Sequence, residues 1–338
     1  MSFKSSVLTT DRHRTRWIEA GPTEGPLIIF VHGWPEHSLV WRPQLEYFAA
    51  HGWRGVAPDM RGYGGSSVPD RVEAYAMTEI VQDLIDLQDA LGGSPAVWVG
   101  HDWGSAAVWA LLAHHPRRCR AVASLCVPYF PEGMTLEAVT ALSDRTLYPP
   151  ERFPDAQWSY WRYHIEQFAK STSELETDIR GTITALYRQA TKADIAKPSP
   201  LSAVGQTGWF GRSGRPPRLP RDADFMPEAD FEEVVAAFRT TGFRGACAWY
   251  LNDAANAAYA RSATAFGAVT APVLFIHAAW DTTCDTLQSR LAEPMRLVCS
   301  NLTESTIQAG HELMLDQPGL VCDAISGWLD AHLPETPQ

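Results

Sequence analysis

The chain has 338 residues, 45% hydrophobic and 20% charged, which is enough to bury the core of one elaborated domain and excludes a disordered chain. Its formal net charge of -11, with no offsetting basic patch, argues against a nucleic-acid partner. No apolar run approaches a membrane span, and residues Met1–Leu8 lack the apolar stretch of a secretory leader, so a cytoplasmic location is expected.

Strand and helix signals alternate through the first third of the chain. Pro26–Val31 is a continuous apolar run, as in a strand buried on both faces, and Gly55–Pro58 is a shorter one. Thr78 reads as the cap of a helix that carries Ile80, Leu84, Leu87 and Leu91 at helical spacing and ends at Gly92-Gly93. Ala96–Val99 is the next buried strand, Ser105–His114 a helix closed by Pro116, and Ala121–Leu125 a further strand. This order predicts a mostly parallel sheet with helices on both faces. At Pro128 the pattern breaks, and Pro131, Pro149, Pro150 and Pro154 interrupt the next stretch of chain. Helices are expected over Trp158–Lys170, Glu174–Ala190 and Phe231–Phe238, with a Gly/Pro/Arg-rich loop from Pro198 to Pro227 between the last two. Strand signals return at Pro272–His277 and Ser305–Gln308, and a helix over Val321–Leu333 closes the chain. The middle therefore reads as a helical cap, residues 129–258, inserted into an α/β core made of 1–128 and 259–338.

Six cysteines, Cys119, Cys126, Cys247, Cys284, Cys299 and Cys322, form no CxxC pair. Reduced thiols are expected, with no disulfide framework. No His/Cys cluster has zinc-site spacing along the chain, so neither metal nor cofactor is implied.

Gly100-His101-Asp102-Trp103-Gly104 lies between the Ala96–Val99 strand and the following helix. That is the setting of a nucleophile elbow, with Asp where ester hydrolases keep Ser. A helix N-terminus beneath the turn favours the negative charge. A carboxylate attacking an acyl group would only make an anhydride, but it can displace a leaving group from saturated carbon and form an alkyl ester. A base must then activate water against that ester. His311, in the loop Ala309-Gly310-His311 after the last strand, is the candidate, since nucleophile, acid and base come in that chain order in such folds. Asp281 is the candidate to orient it, with Asp285 as the weaker alternative. His114 and His115, ahead of Pro116, read as a solvated helix end. The loop His32-Gly33-Trp34-Pro35 comes after the first apolar strand, and the backbone N–H groups of Trp34 and Trp103 are the expected oxyanion pair. Trp34-Pro35 is a candidate cis peptide.

Together with Asp59-Met60-Arg61-Gly62-Tyr63-Gly64, the segments His32–Glu36, Gly100–Ser105 and Ala309–His311 resemble the α/β-hydrolase-fold epoxide hydrolases over nearly the whole chain, most strongly in the core. The resemblance implies that a vicinal diol is made from an epoxide and water, without cofactor or metal. It also implies two cap tyrosines that bind and protonate the epoxide oxygen. Gly242–Gly245 followed by Ala248–Asn252 resembles the segment of the second, which makes it Tyr250; Leu251 departs from the Arg of the family's run. For the first, Gln157–His164 offers Tyr160, which comes directly after Ser159, and Tyr163 one helical turn on; a one-residue shift would substitute Trp161. Trp34, Trp103 and Tyr163 are expected to line the substrate pocket, and a homodimer is left open.

Haloalkane or haloacid dehalogenation shares the fold and the Asp nucleophile, and Trp103 could serve a departing halide. A halide needs no proton donor, so Tyr250 favours the epoxide. A non-catalytic small-molecule binding protein on this fold is the remaining alternative, and the Asp102, Asp281 and His311 set argues against it.

Overall fold

Eight strands form one sheet in the computed structural model, which describes residues 3–333. The outermost residues of the expected core, 1–2 and 334–338, lie outside it. The strands are β1 (Lys4–Thr9), β2 (Arg14–Ala20), β3 (Leu27–Val31), β4 (Arg54–Pro58), β5 (Ala96–His101), β6 (Cys119–Leu125), β7 (Val273–Ala278) and β8 (Leu302–Ile307). Their spatial order is β1-β2-β4-β3-β5-β6-β7-β8. Pairs β1–β2 and β2–β4 are antiparallel and the rest parallel. β3, β5 and β7 are buried along their whole length, as parallel strands covered by helices on both faces must be. That burial is why they read as unbroken apolar runs. β1 and β2 do not read that way: β1 is an edge strand with mostly exposed residues.

The helix expected from Thr78 spans Met77–Ala90, so Thr78 lies inside it and caps nothing. A partner from elsewhere in the fold does the work of a cap: Asn256 Oδ1 accepts the Met77 N–H at 2.8 Å. The next helix, Trp103–His114, begins directly after the turn at Asp102. A helix at Arg42–Ala50, after β3, had no counterpart among the expected elements.

Between β6 and β7 come the helices Leu136–Leu142, Ser159–Glu166, Phe168–Glu176, Ile179–Leu186, Glu228–Thr241, Arg244–Ala248 and Asp253–Arg261. The expected helix over Trp158–Lys170 breaks at Gln167, where ψ turns to 41°. The one over Glu174–Ala190 breaks at Asp178, whose extended backbone lets its carboxylate accept the Gly181 N–H and start a new helix. The stretch 198–227 holds only short helical turns, as at Val204–Thr207. The last helix is Pro318–His332. His114 is not solvated: it is half-buried, its ring flat against Tyr259 with centroids 3.8 Å apart. Among the described residues no helix is long and apolar enough to cross a membrane.

Candidate active site

The C-terminal ends of β3, β5 and β7, with the loop after β8, meet at one point, the place where parallel sheets expose their connecting loops to ligands. Asp102 stands there with φ 50°, ψ −126°, a conformation costly for any residue with a Cβ. Glycines make the turn fit. A Cβ at Gly104 would lie 2.1 Å from the Val31 carbonyl oxygen, and one at Gly33 would lie 2.4 Å from Asp102 Oδ1. Gly33 thus lets the loop after β3 close over the carboxylate. The Trp34-Pro35 peptide in that loop is cis.

Asp102 Oδ1 accepts the Trp34 N–H at 2.7 Å, and Oδ2 is 3.5 Å from His311 Nε2. Burial alone would raise the Asp102 carboxyl, but the His311 hydrogen bond and charge, aided by His101 and the Trp34 N–H, hold it below its usual range. His311 Nδ1–H donates to Asp281 Oδ2 at 2.7 Å. Asp281 Oδ1 in turn accepts the N–H groups of Thr283 and Cys284 at 2.7 and 2.8 Å. Burial disfavours a charged imidazole, yet the Asp281 charge and the hydrogen bonds to Asp102 and Asp281 push His311 well above its usual value. The ring thus lies between two carboxylates that both favour its charged form. Asp285 does not reach it; its Oδ1 accepts the N–H groups of Leu287 and Gln288.

A second polar chain lies beneath the first. Its members stand inside the motifs, but nothing in their spacing shows that they meet. Glu36 Oε2 accepts the Gly33 N–H at 2.8 Å, and Oε1 meets His101 Nδ1 at 2.5 Å. His101 Nε2–H donates to the His311 carbonyl at 2.8 Å. With an acceptor at each nitrogen the buried ring carries both protons, and the Glu36 charge outweighs burial to hold its pKa well above the usual value. This pair ties the loop after β3, the elbow and the His311 loop together.

Tyr160 and Tyr250 come from the cap, on Ser159–Glu166 and the turn Trp249–Leu251. Their rings meet edge to face with centroids 5.5 Å apart. Both are pushed well above 10 by burial, with the Asp102 charge adding to it, so both stay protonated. Trp34 stacks on Tyr160. With Asp102, His311, Trp34 and Glu312 the two tyrosines line a cavity of about 290 Å³.

Two of the expected pocket residues are elsewhere. The Tyr163 hydroxyl points to Glu174 Oε1 at 3.0 Å and packs within the cap, because one turn along the helix it faces Phe168–Glu176 rather than the core. The Trp103 indole lies behind Tyr250, the two rings meeting edge to face with centroids 5.2 Å apart. Trp103 thus supports a tyrosine instead of lining the cavity. Trp161 is buried as well, its indole N–H donating to the Tyr250 carbonyl at 2.8 Å. Glu312 had no place among the expected site residues. Burial lifts its carboxyl from 4.5 to about 7, against the charges of His311 and His101.

A sequence model of the family described as alpha/beta hydrolase fold matches residues 26–318. The chain is 32% identical over 330 residues to Epoxide hydrolase A of Mycobacterium tuberculosis, covering 96% of each. It is 27% identical over 322 residues to Bifunctional epoxide hydrolase 2 of Rattus norvegicus, covering 95% of this chain and 54% of that one. The crystal structure of Epoxide Hydrolase A from Mycobacterium thermoresistibile matches with a TM-score of 0.78 at 30% identity, over 97% of this chain and 98% of that one.

Proposed function

The chain belongs to the α/β-hydrolase-fold epoxide hydrolase family, and from that premise we propose that Asp102 is the nucleophile that opens the epoxide. The enzyme is a hydrolase of ether bonds that converts an epoxide and water to a vicinal diol.

In the first step an Asp102 oxygen attacks one epoxide carbon and the C–O bond breaks. An alkoxide is a poor leaving group, so the departing oxygen must take a proton as the C–O bond breaks, and the cap pair Tyr160 and Tyr250 supplies it, leaving a tyrosinate. The product is an alkyl ester on Asp102. Ester formation removes the carboxylate charge that had held the proton on His311. Its pKa falls, the proton passes to the tyrosinate, and Nε2 is left as a base oriented by Asp281. In the second step His311 takes a proton from water and the hydroxide attacks the ester carbonyl. The backbone N–H groups of Trp34 and Trp103 hold the oxyanion; Trp34 N–H already contacts the carboxylate. Collapse expels the diol oxygen, which takes the carboxyl proton, and Asp102 and the His311 imidazolium are restored.

Residues 129–258 serve as the cap, since both tyrosines come from it. The six cysteines are free, in keeping with a cytoplasmic enzyme.

The observation that carries this reading is the pair of protonated phenols in the same cavity as Asp102. A dehalogenase would have no use for them. The test is intact-protein mass spectrometry of His311→Gln after exposure to aryl epoxides, alkyl epoxides and haloalkanes. The epoxides should add one substrate mass to the peptide containing Asp102. Adducts with haloalkanes and none with epoxides would show the dehalogenase instead.

A further inference from the structure

His311 has a second set of neighbours on its Asp281 side. Asp281 and Cys284 are three residues apart on one turn, and a donor atom from each lies with a His311 ring nitrogen inside a triangle of no more than 4.8 Å a side. Carboxylate, thiol and imidazole are the ligand set of a borderline-soft divalent cation. We propose that Asp281, Cys284 and His311 form an inhibitory binding site for such a cation, Zn²⁺ being the type, which stops the hydrolytic step.

The geometry needs little adjustment. A tetrahedral ion with bonds of about 2.0–2.3 Å holds its donors about 3.3–3.8 Å apart. The His311 Nδ1 to Asp281 Oδ2 separation is 2.7 Å, so that one contact must widen by about 0.6 Å. The other Asp281 oxygen is already fixed by the Thr283 and Cys284 N–H groups, which orients the carboxylate as outer-shell partners of a metal ligand do. Thr282 and Thr283, which link Asp281 to Cys284, line the catalytic cavity, so an ion and a water for its fourth position arrive by the route the substrate uses. Burial and the Asp281 charge keep the Cys284 thiol protonated in the free enzyme. Binding therefore displaces two protons to solvent, one from Sγ and one from His311 Nδ1, in the way metal coordination deprotonates its ligands.

The triangle formed by His101, Cys126 and His311 is the weaker site. There His101 Nε2 and Cys126 Sγ both donate to the His311 carbonyl, and the His101 ring is already cationic.

The consequence for turnover rests on the mechanism proposed above. With Nδ1 on the metal, His311 keeps its proton on Nε2. Asp102 can still attack an epoxide, but Nε2 has no lone pair with which to accept a proton from water. Zinc should block ester hydrolysis and leave ester formation in place.

The experiment uses the full chain freed of metal by chelator, with Cys284→Ala, Cys284→Ser and Cys126→Ala beside it. Near-ultraviolet circular dichroism checks that each variant is folded, and Ser keeps the volume if Ala does not. Titration with Co²⁺ in the absence of substrate reads the site itself: one equivalent should produce a thiolate-to-metal absorption band in the wild type and in Cys126→Ala, and none in either Cys284 variant. Zn²⁺ should inhibit wild-type epoxide hydrolysis reversibly, and the half-inhibiting concentration should rise roughly tenfold or more in the Cys284 variants. Wild type given zinc and epoxide should accumulate the Asp102 ester. A band that depends on Cys126 instead, or equal inhibition of wild type and Cys284 variants, overturns the proposal. So does a Cys284-dependent band with turnover unaffected. If metal-free wild type turns over no epoxide at all, the reaction assignment has failed, and the cobalt titration still decides the site.

Discussion

Glu312→Gln should stabilise the enzyme at alkaline pH and not at acid pH. The carboxyl lines the cavity beside His311, and its pKa rises from 4.5 to about 7 on folding. Burial is the cause. The charges of His311 and His101 pull the other way, and Glu36 adds to the rise. A group whose folded pKa is raised favours the native state below the unfolded value and loses that contribution as pH climbs through the folded one. The window here is pH 4.5 to about 7. At about 1.4 kcal/mol per unit, the full swing is about 3.5 kcal/mol, of which about 3 falls between pH 4 and 8. Gln keeps the size and cannot ionise. Urea unfolding of both proteins at pH 4, 5, 6, 7 and 8 gives the difference in stability at each pH, which cancels the titration of every other group. That difference should shift by up to about 3 kcal/mol in favour of Gln between the ends of the window. Parallel curves would refute the reasoning: Glu312 would then titrate alike in the folded and unfolded chains, and burial would not hold its proton.

The same geometry dictates other outcomes. Tyr160→Phe and Tyr250→Phe should each slow single-turnover ester formation by roughly 10²-fold, and the double change should nearly stop it, while breakdown of a preformed ester is much less affected. Tyr163→Phe should match wild type in that assay, because its hydroxyl serves Glu174; a damaging Tyr163→Phe beside a silent Tyr160→Phe would reverse the assignment. Asp102→Ala should abolish epoxide hydrolysis with the circular dichroism spectrum unchanged, and retention of more than about 1% of the rate would remove Asp102 from the chemistry. Gly33→Ala should cost most of the activity, since its Cβ would fall 2.4 Å from Asp102 Oδ1; full activity would show that the loop after β3 yields freely.

What the sequence displays is what repeats locally. β3, β5, β6 and β7 show as apolar runs because helices cover both faces of a parallel strand, and the elbow shows because its glycines stand at fixed offsets from Asp102. β1 and β2 do not show, since an edge strand needs no apolar run and its partner is chosen by pairing across the sheet. The same division runs through the site. Asp102, Asp281 and His311 can be picked from order along the chain. Tyr160 and Tyr163 are one turn apart on one helix, and helical spacing alone cannot rank them. The ranking comes from other segments: Trp34 stacks under Tyr160, whereas Glu174 of the next helix takes the Tyr163 hydroxyl. Trp103 is the converse case. Its position after the nucleophile suggested contact with substrate, but the cap brings Tyr250 between it and the cavity, so its indole acts on the reaction through the tyrosine. Contacts between distant segments also make the Glu36–His101–His311 chain and the Asp281–Cys284–His311 triangle, and in both the shared member is the proposed base. The elements that can be read from the sequence supply the nucleophile, whereas the groups that set when His311 can accept a proton become visible only once the loops after β3, β5, β7 and β8 are brought together.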